Sequence, residues 1–195
     1  VLAYAPPPPE GQVQLGYTDL YLLDLGCGSP EPCDADSLRP LLERTAPNEA
    51  FFSPARSPDG RYVYYAHLIP ADVASNRSFQ YTVERLAVPD GEPQALVENA
   101  FWPRLSPDGS RLTYVAFEVT TFDNDLYVAD ADGSNPMRLI GAETFEAVDA
   151  PFFAPDSTGL VFSAVGDGPA STQLRWLEAL MGVRAVEAAP ERHNV

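Results

Sequence analysis

No lysine occurs anywhere in the 195 residues; all twelve basic side chains are arginine, set against twenty-eight acidic ones. The resulting formal net charge of −16 excludes a nucleic-acid binder, because such a surface repels phosphates instead of displacing their counterions. It equally disfavours an anionic membrane surface. No apolar run reaches the ~18 residues of a membrane-spanning helix, so no membrane insertion is expected within this segment. Neither a signal peptide nor an initiator methionine is visible, and the chain opens on Val1. That reads as a trimmed segment of a longer protein.

The furniture of catalysis is equally thin. There is no Gly-x-Ser-x-Gly nucleophile elbow, and no glycine-rich phosphate loop set between a strand and a helix. Histidine occurs twice, at His67 and in the tail at His193. Two cysteines in one loop and two separated histidines make a poor zinc set, since zinc needs three or four converging ligands. Asp123, Asp125, Asp130 and Asp132 before Gly133 suggest a calcium loop. With Gly133 in sixth place, however, the frame demands an acid or amide at 128 and a glutamate at 139, where Val128 and Leu139 stand. These aspartates read as hairpin residues. No metal and no cofactor is expected, and the chain reads as non-enzymatic.

What is present is a globular composition, 45% apolar and 11% aromatic, punctuated by twenty prolines and thirteen glycines that demand many turns. Cys27 and Cys33 sit in Cys-Gly-Ser-Pro-Glu-Pro-Cys, a loop easily closed by a disulfide, which would imply an oxidising compartment. Two free thiols in a flexible loop are the alternative.

The chain also repeats itself. Phe101-Trp102-Pro103-Arg104-Leu105-Ser106-Pro107-Asp108-Gly109 is echoed by Phe52-Ser53-Pro54-Ala55-Arg56-Ser57-Pro58-Asp59-Gly60 and by Pro151-Phe152-Phe153-Ala154-Pro155-Asp156-Ser157. A fixed period in this range signals stacked supersecondary units. Each full unit reads as four short strands. In the best-formed one these are Phe101–Leu105, the tight turn 106–109, Arg111–Glu118, Asp125–Asp130, the Asp-Gly hairpin 131–135 and Pro136–Ile140. Leu2, Val63, Leu112 and Leu160 share one position of the second strand, and Tyr4, Tyr65, Tyr114 and Phe162 share the next position on that face. Large apolar residues two apart bury one face of a strand between neighbouring sheets. Asp59, Asp108 and Asp156 recur because the turn needs them.

Four units follow: 1–50 without a first strand, 51–99, 100–149, and a half-unit of two strands at 150–170. Over 171–189 the spacing of Leu174, Leu177, Leu180 and Met181 predicts a helix that packs on the sheets, with a tail to 195. A partner-binding or membrane-proximal helix is the alternative for this stretch.

Ser-Pro-Asp-Gly, an apolar strand and then Asp-Leu-Tyr-Val-x-Asp-x-Asp-Gly, nearly complete over residues 106–133, resembles the TolB-like, WD-repeat-like β-propeller family. The likeness extends over roughly residues 1–165 and weakens in the second and fourth units. It implies an all-β propeller of four-stranded antiparallel blades, about three and a half of them here, plus one C-terminal helix. It also implies an extracytoplasmic setting (periplasmic, secreted or membrane-anchored) and a role in binding another protein or a small ligand, whose identity does not carry over. An open arc exposes unpaired strand edges, so either more blades lie outside this segment or self-association completes the ring. Within this scheme His67 reads as a strand residue near a blade edge. Trp102 and Arg104 break the repeat, against Ser53 and Ala150 and against Ala55 and Phe152 respectively. They are the candidate binding residues, with core packing of Trp102 as the alternative.

Two further readings remain open. A prolyl-oligopeptidase-like peptidase uses such a propeller as a gate, and then Gly-x-Ser-x-Gly lies in sequence beyond this segment. A polysaccharide-lyase-like propeller with a channel metal would need several His or Gln on the first strands, which carry none.

Overall fold

A computed structural model describes residues 2–4, 18–23, 33–46, 48–70, 79–118, 123–166, 172–178 and 185–186. The short second strands, apolar and bounded by tight turns, fold locally into meanders in which each strand pairs with the next. The first sheet holds β1 (Leu2–Tyr4), β2 (Asp19–Leu23) and β3 (Leu38–Leu42). The second holds β4 (Ala50–Arg56), β5 (Tyr62–Ile69), β6 (Gln80–Ala87) and β7 (Pro93–Glu98). The third holds β8 (Ala100–Leu105), β9 (Arg111–Phe117), β10 (Asn124–Asp130) and β11 (Met137–Ile140). The fourth holds β12 (Ala147–Phe153), β13 (Gly159–Val165), β14 (Thr172–Glu178) and β15 (Ala185–Val186). The chain divides into two compact units, Val1–Pro103 and Arg104–Val195, the break falling within β8.

The helix expected over 171–189 is not what the described part of that range forms. Thr172–Glu178 is β14, hydrogen-bonded antiparallel to β13 from Val165↔Thr172 to Gly159↔Glu178, and Ala185–Val186 adds β15 beside it. The fourth sheet therefore has four strands where the sequence pattern supplied two. The physical reason is the edge of β13, whose N–H and C=O groups offer one bond per residue to an adjoining extended segment. The alternation in Gln173-Leu174-Arg175-Trp176 suits that role as well as the leucine spacing suits a helix. Residues 171, 179–184 and 187–195 lie outside the described residues.

The repeat register survives into three dimensions. Val63, Leu112 and Leu160 are buried, as are Tyr65, Tyr114 and Phe162. β13 buries one face as expected, with Leu160, Phe162 and Ala164 buried and Val161 and Ser163 half-buried, but β5 and β9 bury Tyr64, Ala66, Thr113 and Val115 as well. β5 and β9 lie inside their sheets with both faces covered, which removes the need for polar alternation. In the first unit Leu20 of β2, with Leu41 and Leu42, packs on Phe51, Val63, Tyr65 and Leu86 of the second sheet. Phe51 meets Tyr65 edge-on at 5.9 Å between ring centroids. In the second unit β12 lies against β9 and β10, and Phe145 meets Phe162 edge-on at 6.1 Å.

The Ser-Pro-Asp-Gly turns are built alike. The amide of Gly60 donates to the Ser57 carbonyl and that of Gly109 to the Ser106 carbonyl, both at 2.9 Å. Gly60 and Gly109 have φ of 73° and 74°, the left-handed region that glycine enters without penalty. In the fourth sheet the place falls to Ser157, at φ 62°. Asp59 accepts from the Ser57 hydroxyl and the Arg61 amide. Asp108 likewise accepts from the Ser106 hydroxyl and the Ser110 amide, and Asp156 from the amide and hydroxyl of Thr158.

Candidate functional site

The first strand of each full repeat carries a proline in register, Pro54, Pro103 or Pro151. The residue before it has a positive φ in each case: 52° at Ser53, 57° at Trp102 and 45° at Ala150. The ladder slips between Phe52 and Ala55 and between Asp149 and Phe152, so these pairs form β-bulges. A bulge is where a sheet accepts a proline, which has no N–H to contribute to the ladder. The left-handed turn of Trp102 is thus a property of the repeat; its indole is not.

That indole is half-buried and stands 6.5 Å from the Phe101 ring. Phe101 lies 5.8 Å from Tyr81, which in turn meets Phe52 edge-on at 6.1 Å. Among the described residues Phe52, Tyr81, Phe101 and Trp102 thus form a string of aromatic side chains in the first unit. Arg104, in the second unit, has different company. Its guanidinium carbon lies 4.9 Å from the centroid of the Phe152 ring, a cation–π contact. Burial works to lower the Arg104 pKa, while Phe152 is 51% exposed. Among the described residues this is a large apolar ring presented to solvent with a partly desolvated cation over it.

The acidic residues weighed for calcium have protein partners instead. Asp130 pairs with Arg111 and Asn135, Asp125 with Arg138 and the Ala142 amide, and Asp132 with Ser134. Among the described residues no group of three or more His, Cys, Asp or Glu side chains is placed to hold a metal ion. Cys33 is not a free thiol. Cys27 lies outside the described residues, so the Cys27–Cys33 pairing stays a proposal. His193 also lies outside them.

His67 is the residue the sequence reading placed wrongly. It stands on β5, between β4 and β6, and not near a blade edge. Its Nε2 is 2.9 Å from Glu49 Oε1 and its Nδ1 is 3.0 Å from Glu84 Oε1. Its side chain is 15% exposed. The Tyr65 hydroxyl donates to the other Glu84 oxygen at 2.8 Å, and burial, reinforced by that carboxylate, pushes the phenol pKa up. The sequence held a usable signal. His67 stands where the repeat has Ala116 and Ala164, and Glu84 stands where it has Tyr127. These residues break the pattern as plainly as Trp102 and Arg104 do.

No protein-family model matches the chain, and no curated protein matches its sequence. Solved structures do match its fold. A TolB-type protein from Agrobacterium tumefaciens superposes with a TM-score of 0.63 at 16% identity, over 89% of this chain and 57% of that one. TolB from Acinetobacter baumannii gives 0.61 at 17% identity, over 86% of this chain and 37% of that one. The β-propeller domain of the trilobed protease from Pyrococcus furiosus gives 0.57 at 19% identity, over 73% and 43%. At such identities the likeness establishes the fold, a β-propeller fold of the kind seen in TolB. The chain spans between about a third and three-fifths of the length of these structures.

Proposed function

We propose that this chain is part of a non-enzymatic propeller scaffold that works outside the cytoplasm and presents a surface to another protein. The observation that carries the reading is the Arg104–Phe152 pair. A half-exposed phenylalanine under an arginine sits at a place where the repeat has no need of either. Protein interfaces favour aromatic anchors and arginine over lysine or glutamate. The propeller fold adds a rigid base of short turns, each tied down by an aspartate. The extracytoplasmic setting draws on the closely spaced cysteines, whose pairing is checked by alkylation and mass measurement before and after reduction.

The test is a photo-crosslinking amino acid at position 152, introduced in the native host. A single discrete adduct that disappears with Arg104→Ala supports the scaffold reading. No adduct at 152, with expression and folding intact, removes its basis.

One observation favours a second reading, a gating propeller of a prolyl-oligopeptidase-like peptidase: the superposition on the trilobed protease domain. That reading requires a serine nucleophile on the same polypeptide. Labelling of the full-length product by a fluorophosphonate, with the label mapping to Gly-x-Ser-x-Gly, would establish it; an unlabelled full-length product would eliminate it.

A further inference from the structure

The connection between the first two sheets, residues 43–49, is anchored at both ends by charge. Toward the first sheet, Asp19 Oδ1 accepts from the Arg44 amide at 2.8 Å and from Arg44 Nε at 2.9 Å. Toward the second sheet, Glu49 is the anchor. Its Oε2 accepts from the Thr45 amide, the Thr45 hydroxyl and the Ala46 amide, and its Oε1 faces His67. Every partner of Oε2 is a donor, so that oxygen carries no proton, and the two backbone N–H groups bound to it favour the ionised form of Glu49. Across the imidazole stands Glu84 on β6, whose second oxygen accepts from Tyr65 on β5. The Phe51 ring of β4 covers His67 at 4.6 Å between centroids. Among the described residues Glu49, Glu84 and Tyr65 are the titratable groups that face this site.

A neutral imidazole has a single N–H. With carboxylate oxygens within hydrogen-bonding distance of both ring nitrogens, the neutral form would set a lone pair against a lone pair on one side. The doubly protonated ring satisfies both. We propose that His67 is held as an imidazolium between Glu49 and Glu84, forming a pH-dependent clamp that fixes the 43–49 connection, and with it the first sheet, onto the second.

Burial of His67 works to lower its pKa, but the hydrogen bonds and charges of Glu84 and Glu49 outweigh it and the net direction is upward from 6.5. Burial of Glu49 works to raise its pKa, but the bonds from Thr45, His67 and Ala46 outweigh it and the net direction is downward from 4.5. A raised histidine contributes stability that is complete below its unfolded pKa and lost as pH rises through its folded one. A depressed carboxylate contributes stability present above its unfolded pKa and lost as pH falls through its folded one. The clamp's contribution is therefore complete in mildly acidic solution, between pH 4.5 and 6.5, and it is lost as pH rises through the folded titration of His67.

The experiment uses the whole chain with 15N-labelled histidine. Ring nitrogen shifts are followed from pH 5 to 9, together with amide-exchange protection of Thr45 and Ala46. Both His67 nitrogens are expected to remain protonated past pH 6.5, and protection of the two amides should fall in the same step that removes the proton. The folded-to-unfolded ratio should decline by up to about tenfold per pH unit between pH 6.5 and that step. His67→Gln should abolish the step. A wild-type His67 with one unprotonated nitrogen at pH 6, or amide protection that ignores its titration, overturns the proposal. The wild-type shifts decide the matter even if His67→Gln fails to fold.

Discussion

Arg104 and Phe152 hold the same place in successive repeats, and the guanidinium of the first lies 4.9 Å from the ring centroid of the second. Identical positions on neighbouring first strands are thus within touching distance. The sequence departs from its own repeat at both, so the contact is specific to this pair and not a consequence of the fold. A half-exposed ring usually contributes little to stability, which leaves the pair free to serve recognition.

The strength of that contact is measurable by a double-mutant cycle. Arg104→Ala, Phe152→Ala and the double variant, unfolded in urea, should show a coupling of about 0.5–1 kcal/mol, the range of partly exposed cation–π pairs. Additive losses would mean that the two side chains stabilise the sheets independently.

The left-handed turn positions make opposite predictions in different repeats. Ser157 sits at φ 62° where its counterparts are Gly60 and Gly109. Ser157→Gly should raise stability by roughly 0.5–1 kcal/mol, since only glycine occupies that region freely. Its hydroxyl accepts a long 3.3 Å bond from the Asp108 amide, a small loss. Gly60→Ala should lower stability by roughly 1–2 kcal/mol, because φ 73° strains any residue with a Cβ; the Arg56 guanidinium, 2.8 Å from that Cβ, is the end of a flexible side chain and can move aside. Thermal unfolding of the two variants gives both signs in one series.

Asp59 supplies an acid limb. Hydrogen bonds from the Ser57 hydroxyl, the Arg61 amide and the Arg61 side chain hold its pKa down at about 2. A depressed carboxylate stabilises the fold above its ordinary pKa of 3.8 and loses that contribution as pH falls toward 2. Carboxyl 13C shifts should place its titration well below that of an ordinary aspartate. Asp59→Asn should flatten the part of the stability–pH curve that lies below pH 4.

Thr82 offers a gain. It is 3% exposed, and its hydroxyl has no hydrogen-bond partner among the described residues. A buried unsatisfied polar group costs about 1–3 kcal/mol. Thr82→Val, nearly isosteric, should therefore be neutral to stabilising by about 1 kcal/mol in denaturant melts. A loss larger than that would reveal a partner for the hydroxyl.

Much of this protein is written locally. Proline and glycine at set places in Ser57–Gly60 and Ser106–Gly109 dictate the turns, and Val63 with Tyr65 and Leu112 with Tyr114 mark the buried strands, because both signals depend only on neighbours in the chain. The repeat multiplied those signals from one unit to the next. The signals failed where two local readings competed. Residues 172–178 satisfy a helical spacing and a strand alternation alike, and the open edge of β13 decided for the strand.

Side-chain chemistry between distant residues was a different matter. Glu49, His67 and Glu84 are separated by stretches that say nothing of one another, and the antiparallel registers Phe51↔His67 and Tyr65↔Glu84 bring them together. The amino-acid order determined the turns, the strands and the unit-by-unit repetition. Only the folded sheets decided that an imidazole would lie between two carboxylates and a guanidinium over a ring, because such contacts depend on strand register and sheet packing, which no short window of sequence contains.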